Sequence, residues 1–170
     1  MLNNLKIGTK IIYSFLIVAL IVVFLGIFST AKIKAINNSE INFNKNYTMG
    51  LENTREISDS FHRVRINMYE MIRTTDPVKI DYYEKRIEKF NKNIDDNMEE
   101  LESKKLPEDI KKVIGNFKVD RDTFNGYLNN IRKYAKENKD NEAYSILDTD
   151  AYKSGKDEIV KDIENLTKLM

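Results

Sequence analysis

The stretch ISDSFHRVRINMYEM, residues 57–71, places apolar side chains at intervals of four, three, four and three residues. These positions are Ile57, Phe61, Val64, Met68 and Met71. An α-helix turns once every 3.6 residues, so this spacing gathers the apolar side chains on one face. Such a face leaves water only by packing against other helices. The stretch therefore predicts an amphipathic helix in a helical bundle.

Three downstream segments carry the same periodicity. The second helix is predicted over about 77–103, the third begins after Pro107, and the fourth follows a charged turn at 136–141. No strand-like alternation competes with this pattern. We therefore expect an all-α protein whose helices form an up-down-up-down four-helix bundle.

The helix boundaries follow from local residues. Thr75 or Asp76 can cap the second helix, and Pro77 fits its first turn, where a missing amide donor costs nothing. Residues 148–150, Asp-Thr-Asp, supply fresh capping groups, so a kink is expected inside the fourth helix. Five asparagines between 37 and 46 weaken the start of the first helix, and Gly50 predicts a fray or a kink there.

Upstream of the bundle, residues 11–31 read IIYSFLIVALIVVFLGIFSTA without a charged residue. At 1.5 Å per residue, such a helix is about 32 Å long, which matches the hydrocarbon core of a bilayer. A signal peptide has a shorter apolar run of about 7–15 residues, and a buried helix of a soluble protein would carry a polar face. We therefore predict a transmembrane helix surrounded by membrane lipid.

These predictions divide the chain into three parts: a short N-terminus at 1–10, the transmembrane helix at 11–31, and the bundle at 32–170. The two lysines before the helix, Lys6 and Lys10, slightly favour a cytoplasmic N-terminus under the positive-inside rule. The fourth helix is shorter than the first, which we predict to run from 32 to 73. We therefore expect the bundle to be incomplete at its C-terminus.

Composition excludes several classes of function. All 27 acidic residues and all but two of the 28 basic residues follow the transmembrane helix, so the bundle has no excess positive charge and nucleic acid is not expected as a partner. The chain has no cysteine, and His62 is its single histidine, so a thiolate or histidine-based metal site is excluded. Calcium-loop, phosphate-loop and nucleophile-elbow motifs are missing as well. We expect no enzyme activity, no cofactor and no metal.

A second stripe on the first helix of the bundle is the candidate ligand site. It contains Ser58, His62, Arg65, Tyr69 and Ile72, turned about 100° from the apolar face. A guanidinium flanked by an imidazole and a phenol can clamp a carboxylate, because arginine presents a planar fork of donors. The same stripe would also serve as an edge of the core or as a dimer contact.

Arg73, beside the turn at the tip of the first hairpin, is a secondary candidate for ligand contact. Pairing with acidic residues three or four positions away on the same helix would also account for it.

Three pieces of sequence resemble the N-terminal part of bacterial methyl-accepting chemotaxis proteins with a four-helix-bundle sensor. They are LKIGTK at 5–10 leading into the apolar run, TTDP at 74–77 followed by YYEKRIE at 82–88, and the turn at 136–141 followed by EAYSIL at 142–147. The resemblance implies an extracytoplasmic, homodimeric sensory bundle that binds a small molecule or a ligand-loaded binding protein. It also implies functional arginines on the first bundle helix, where Arg65 and Arg73 are the candidates.

We therefore expect the membrane-anchored sensory domain of a chemoreceptor-type signal transducer, without the cytoplasmic signalling part. Two alternatives stay open. The same bundle serves sensor kinases and cyclases, and an anchored helical bundle could instead be an adhesive or structural protein at the cell surface.

Overall fold

The structure is a computed structural model that describes residues 6–170, with the backbone alone described at 10, 35, 38, 39 and 42–45. The α-helices are α1 (Ile7–Phe43), α2 (Met49–Ile72), α3 (Pro77–Glu102), α4 (Glu108–Lys136), α5 (Asp140–Asp148) and α6 (Asp150–Leu169). A π-helix spans Asn44–Thr48. Residues 6–170 contain no strand, which confirms the predicted all-α fold.

The chain divides into two compact units between Asn44 and Lys45. The first unit is α1, in which Ile7–Lys34 is long and apolar enough to cross a membrane by length and composition. Its large apolar side chains are exposed, as expected for a helix with no polar face to separate core from solvent. The predicted transmembrane segment at 11–31 lies within this helix. Residues 1–5 of the predicted N-terminal segment lie outside the described residues.

The second unit is the bundle, in which α2, α3 and α4 are three helices and α5 with α6 forms the fourth. Its core is the set of side chains that the sequence periodicity selects. Buried positions on α2 and α3 include Ile57, Phe61, Val64, Met68, Met71, Ile80, Ile87, Ile94, Met98 and Leu101. Buried positions on the other helices include Ile110, Ile114, Phe117, Phe124, Leu128, Ile131, Ala143, Leu147, Tyr152, Ile159, Ile163 and Leu166.

Side-chain caps fix two of the helix starts. The backbone N–H of Val78 donates to Asp76 Oδ1 at 2.9 Å, so Asp76 is the cap of α3 and Pro77 occupies its first turn. The fourth helix is interrupted at Thr149, as predicted. Thr149 Oγ1 accepts from the backbone N–H of Tyr152 at 3.2 Å and restarts the chain as α6.

The start of the bundle differs from the prediction, because residues 32–43 of the predicted first bundle helix belong to α1 and α2 begins at Met49. The π-helix ends at Thr48, and Gly50 is an α-helical, buried residue of α2. A Cβ atom at position 50 would lie 2.8 Å from Met170 Sδ. Gly50 therefore serves close packing at this end of the bundle rather than a kink in the backbone.

Polar bonds between neighbouring helices set their register. Asn93 on α3 donates to Ser60 Oγ on α2 at 2.7 Å. Arg132 on α4 bonds Glu84 and Glu88 on α3 at 2.7 and 2.8 Å. These directional bonds fix the positions of helices that apolar packing alone would leave free to slide.

Candidate ligand-binding site

An aromatic cluster joins α2, α4 and α6 inside the bundle. The ring of Phe124 lies 5.3 Å from that of Phe61 and 5.3 Å from that of Tyr152. Tyr127 meets Tyr152 edge-on at 6.1 Å. These separations are typical of favourable aromatic contacts, so the four rings form a rigid apolar support for neighbouring polar groups.

Arg65 lies at the edge of this cluster. Its guanidinium carbon is 5.9 Å from the centre of the Phe61 ring, a distance at which the ring face attracts a cation. The side chain is half-buried, and its Nε atom is buried without a hydrogen-bond partner among the described residues. Arg65 therefore has a buried donor that the bundle itself does not satisfy.

Tyr152 carries a second unsatisfied group beside Arg65. Its side chain is 2% exposed, and its hydroxyl has no hydrogen-bond partner within the described part of the chain. Burial raises the pKa of Tyr152 to about 12; the nearby Tyr69 adds to that rise, and Arg65 opposes it through its charge and a side-chain hydrogen-bonding contact. Arg65 is therefore within reach of the hydroxyl, but the contact falls short of a full hydrogen bond at either Arg65 Nε or the hydroxyl. The Tyr152 hydroxyl remains protonated and can donate.

Two unsatisfied donors at one place favour an acceptor from outside the bundle. Each buried donor without a partner costs about 1–3 kcal/mol. A carboxylate would satisfy both donors and would gain the attraction of a positive charge at the edge of an apolar support. The arrangement is therefore suited to an anionic group on a small ligand.

The structure separates the four residues that the sequence singled out. Arg65 and Tyr69 both lie close enough to Tyr152 to affect its pKa. His62 is exposed. Arg73 is exposed too, and its guanidinium lies 3.7 Å from Glu70 on the same helix. Ile72, the last member of the predicted stripe, is buried in the core, because the helical twist carries that position round to the apolar face.

Tyr152 was not among the candidate site residues that the sequence singled out. A tyrosine at a core position of a helix was the available signal, because a buried phenol ordinarily requires a hydrogen-bond partner. The residue pattern of a single helix does not show that this partner is missing or that Arg65 on another helix lies beside the hydroxyl.

The described residues contain no group of three or more histidine, cysteine, aspartate or glutamate side chains arranged to hold a metal ion.

Elsewhere in the bundle, Glu84, which bonds Arg132 across α3 and α4, has a partly buried environment that opposes ionisation. Its bonds to Lys136 and Arg132 outweigh that burial and lower its pKa. Its polar groups are thus satisfied, in contrast to those of Arg65 and Tyr152.

Comparison with family models finds a match over residues 4–170 to the four helix bundle sensory module for signal transduction. The chain belongs to this family. The match covers the apolar helix and the whole bundle, and it confirms the resemblance to the N-terminal sensor part of a methyl-accepting chemotaxis protein. Searches of the curated proteins and of the solved structures give no significant match. The bundle is a sensory module for signal transduction.

Proposed function

We propose that this sensory module binds a small molecule bearing a carboxylate, free or presented by a binding protein, at Arg65 and Tyr152. The observation that carries the proposal is the pair of buried donors without partners, Arg65 Nε and the Tyr152 hydroxyl. Tyr69 lies beside them and borders the same place. The proposed role is binding and not catalysis.

The placement of these residues supports a role in signalling. Arg65 is on α2 and Tyr152 is on α6, so one ligand group held by both would favour a particular packing of two helices. A ligand shifts a protein only as far as its affinity differs between two arrangements. Small displacements of packed helices are an established form of such a shift. Five residues, Asn44–Thr48, connect α2 to the apolar helix, which offers a short covalent route to the membrane.

A ligand panel tests the binding proposal. The full chain in detergent micelles is unfolded thermally with amino acids and organic acids, each paired with its amide. A carboxylate that binds the folded state at a hundred times its Kd stabilises it by about 2.7 kcal/mol and raises the unfolding midpoint. Its neutral amide should give no rise.

Variants locate the effect. Arg65→Ala should abolish the rise in midpoint, and Arg65→Lys should weaken it because lysine lacks the planar fork. Arg55→Ala, an exposed arginine on the same helix, is the matched control and should keep the response. A flat panel with every carboxylate, or an equal response in Arg65→Ala, would reject the site.

We further propose that the bundle is extracytoplasmic and the N-terminus cytoplasmic. Two lysines precede the apolar run, and the sensory family of the module supports this orientation. The chain has no cysteine, so a single introduced thiol reports its own side of the membrane. Asp122→Cys, on an exposed position of α4, should react with an impermeant maleimide in intact cells, whereas Lys6→Cys should react only after lysis. The reverse result would invert the topology.

We also propose that the module is a homodimer that pairs through the outer face of α2. Ile66 is 60% exposed on this face and Tyr69 is 38% exposed, so these two side chains offer an apolar contact for a second copy of the chain. Ile66→Cys should form an interchain disulfide in membranes under mild oxidation, and Glu99→Cys on α3 should not. Equal cross-linking at both positions would indicate random collision.

A further inference from the structure

A groove between α4 and α6 carries charge opposite to that of the Arg65 site. Its volume is about 350 Å³, within the range of small-molecule sites, and its lining residues are Asn116, Val119, Asp120, Glu158, Lys161 and Asp162. Three of these side chains are carboxylates and one is a lysine. The groove therefore has an excess of negative charge.

Asp162 is the unusual member of this lining. Its side chain is 7% exposed, and its Oδ2 atom is buried without a hydrogen-bond partner in the described residues. A buried carboxylate ordinarily has a cation or several donors around it. Burial, followed by the charge of the neighbouring Asp120 and a side-chain hydrogen bond between the two carboxyl groups, raises the pKa of Asp162 to about 6. The groove therefore holds two adjacent carboxyl groups, and when Asp162 is ionised its Oδ2 atom has no donor among the described residues.

The bundle does not neutralise this pair. Lys161 lies at the groove, and its charge opposes the rise in the pKa of Asp162 less than burial and Asp120 promote it. It is exposed to solvent. Arg121, next to Asp120 in sequence, is engaged by Asp95 on α3. A further positive charge from outside the chain would therefore stabilise ionised Asp162.

We propose that this groove binds the ammonium group of a small organic amine, held between Asp162 and Asp120. An ammonium offers three N–H donors and a positive charge. It would supply a donor to the unpartnered Asp162 oxygen and a counter-charge to both carboxylates. Val119 is 65% exposed beside them and provides an apolar surface for the hydrocarbon part of an amine. The Asn116 amide oxygen is a further acceptor. The absence of a three-ligand group in the described part favours an amine over a metal ion.

This site differs in chemistry and in location from the proposed carboxylate site. The carboxylate site joins α2 with α6, whereas the amine groove joins α4 with α6. Each would act on the same helix through a different neighbour. Failure of one proposal therefore leaves the other unaffected.

The test uses the full chain in detergent micelles at pH 7.5, titrated with n-propylammonium chloride in a calorimeter. We expect saturable one-to-one binding in the millimolar range, which is typical of so small a ligand. 1-Propanol, which lacks the charge, and sodium chloride at equal ionic strength should give no saturable heat. The unfolding midpoint should rise with the amine and not with the alcohol.

Variants assign the binding to the groove. Asp162→Asn should weaken amine binding by about tenfold or more, because a charge-assisted bond becomes a neutral one. Asp120→Asn should weaken it as well and decides the matter if Asp162→Asn does not fold. Asp122→Asn, exposed on α4 two residues from Asp120, should bind as the parent chain does.

Several results would overturn the proposal. These are the lack of saturable binding, equal binding of 1-propanol, or unchanged affinity in both groove variants. A midpoint rise of the same size with calcium chloride would show a metal site instead of an amine site.

Discussion

Burial of Asp162 couples the stability of the bundle to pH. The pKa of its carboxyl rises from an ordinary value of 3.8 to about 6, through burial first and Asp120 second, with Glu158 adding to the rise and Lys161 opposing it. The folded chain therefore holds a proton between these pH values that the unfolded chain releases. The contribution of this group to stability is greatest below about pH 4 and is lost as pH rises to about 6.

Asp162→Asn should remove this loss. An unscreened shift of two units would amount to about 3 kcal/mol, and partial hydration of the pair reduces it to about 1 kcal/mol. The difference between the unfolding midpoints of Asp162→Asn and the parent chain should therefore be about 3 °C larger at pH 7.5 than at pH 4.5. Asp122→Asn should show no such difference between the two pH values. A constant offset at both would mean that Asp162 acts by packing alone.

Most substitutions in a protein core lower its stability, but removal of the Tyr152 hydroxyl should not. Tyr152→Phe keeps the ring that packs on Phe124 at 5.3 Å and removes a buried hydroxyl without a partner. An unsatisfied buried polar group costs about 1–3 kcal/mol, so this variant should be as stable as the parent chain or more so. Denaturant unfolding measures the change, and Tyr127→Phe at the neighbouring half-buried ring is the control. A loss above about 1 kcal/mol would show that the hydroxyl has a stabilising partner in the folded protein.

Among single residues, the sequence indicated Arg65 and Tyr69 on α2 but not the groups that α6 places near them. Arg65 could be found because its position next to the apolar face follows from the sequence of α2 alone. Tyr152 and Asp162 occupy core-facing positions of α6, and their unusual character depends on groups of other helices. For Asp162 the available signal was an acidic residue directly before Ile163 and three after Ile159, both of which the periodicity assigns to the core.

Among the helices, the α2–α3 hairpin gives the most direct test of how local sequence sets element boundaries. The Asp76 carboxylate accepts the Val78 N–H at 2.9 Å and so satisfies one of the free donors at the start of α3. Asp76→Ala should lower the free energy of unfolding by about 1 kcal/mol. Asp76→Asn, which keeps an acceptor oxygen at the cap, should change it by a few tenths of that amount. Equal losses in the two variants would mean that charge, and not capping, stabilises the turn.

Element positions were predicted well because they depend on repeated local signals. Core positions on four helices recur every three or four residues, and proline or capping residues mark the breaks at Pro77, Pro107 and Thr149. The start of α2 was predicted less well. Gly50 is a helix-weakening residue by local propensity, but its role is contact with Met170, more than a hundred positions away in sequence. Such a contact is a property of the assembled bundle.

In the molecule as a whole, the two proposed binding sites have opposite charge and lie between different pairs of helices. The α2–α6 side holds unsatisfied donors, and the α4–α6 side holds an unsatisfied acceptor. Since α6 takes part in both, either ligand would bias the packing of the same helix. A sensory module needs such an element, whose equilibrium more than one contact can shift.

The apolar helix gives the last prediction, because every proposal about orientation requires it to remain in the membrane. Leu20 and Phe24 lie on one side of α1 near the middle of the apolar run, and both are well exposed. One arginine at the centre of a membrane helix costs about 2.5–3.5 kcal/mol on insertion scales. The parent chain should stay in the pellet after alkaline carbonate washing and keep its full mass. The double variant Leu20→Arg, Phe24→Arg should be largely released, whereas Leu20→Ala, Phe24→Ala should remain. A shorter parent chain in the supernatant would instead show a cleaved leader.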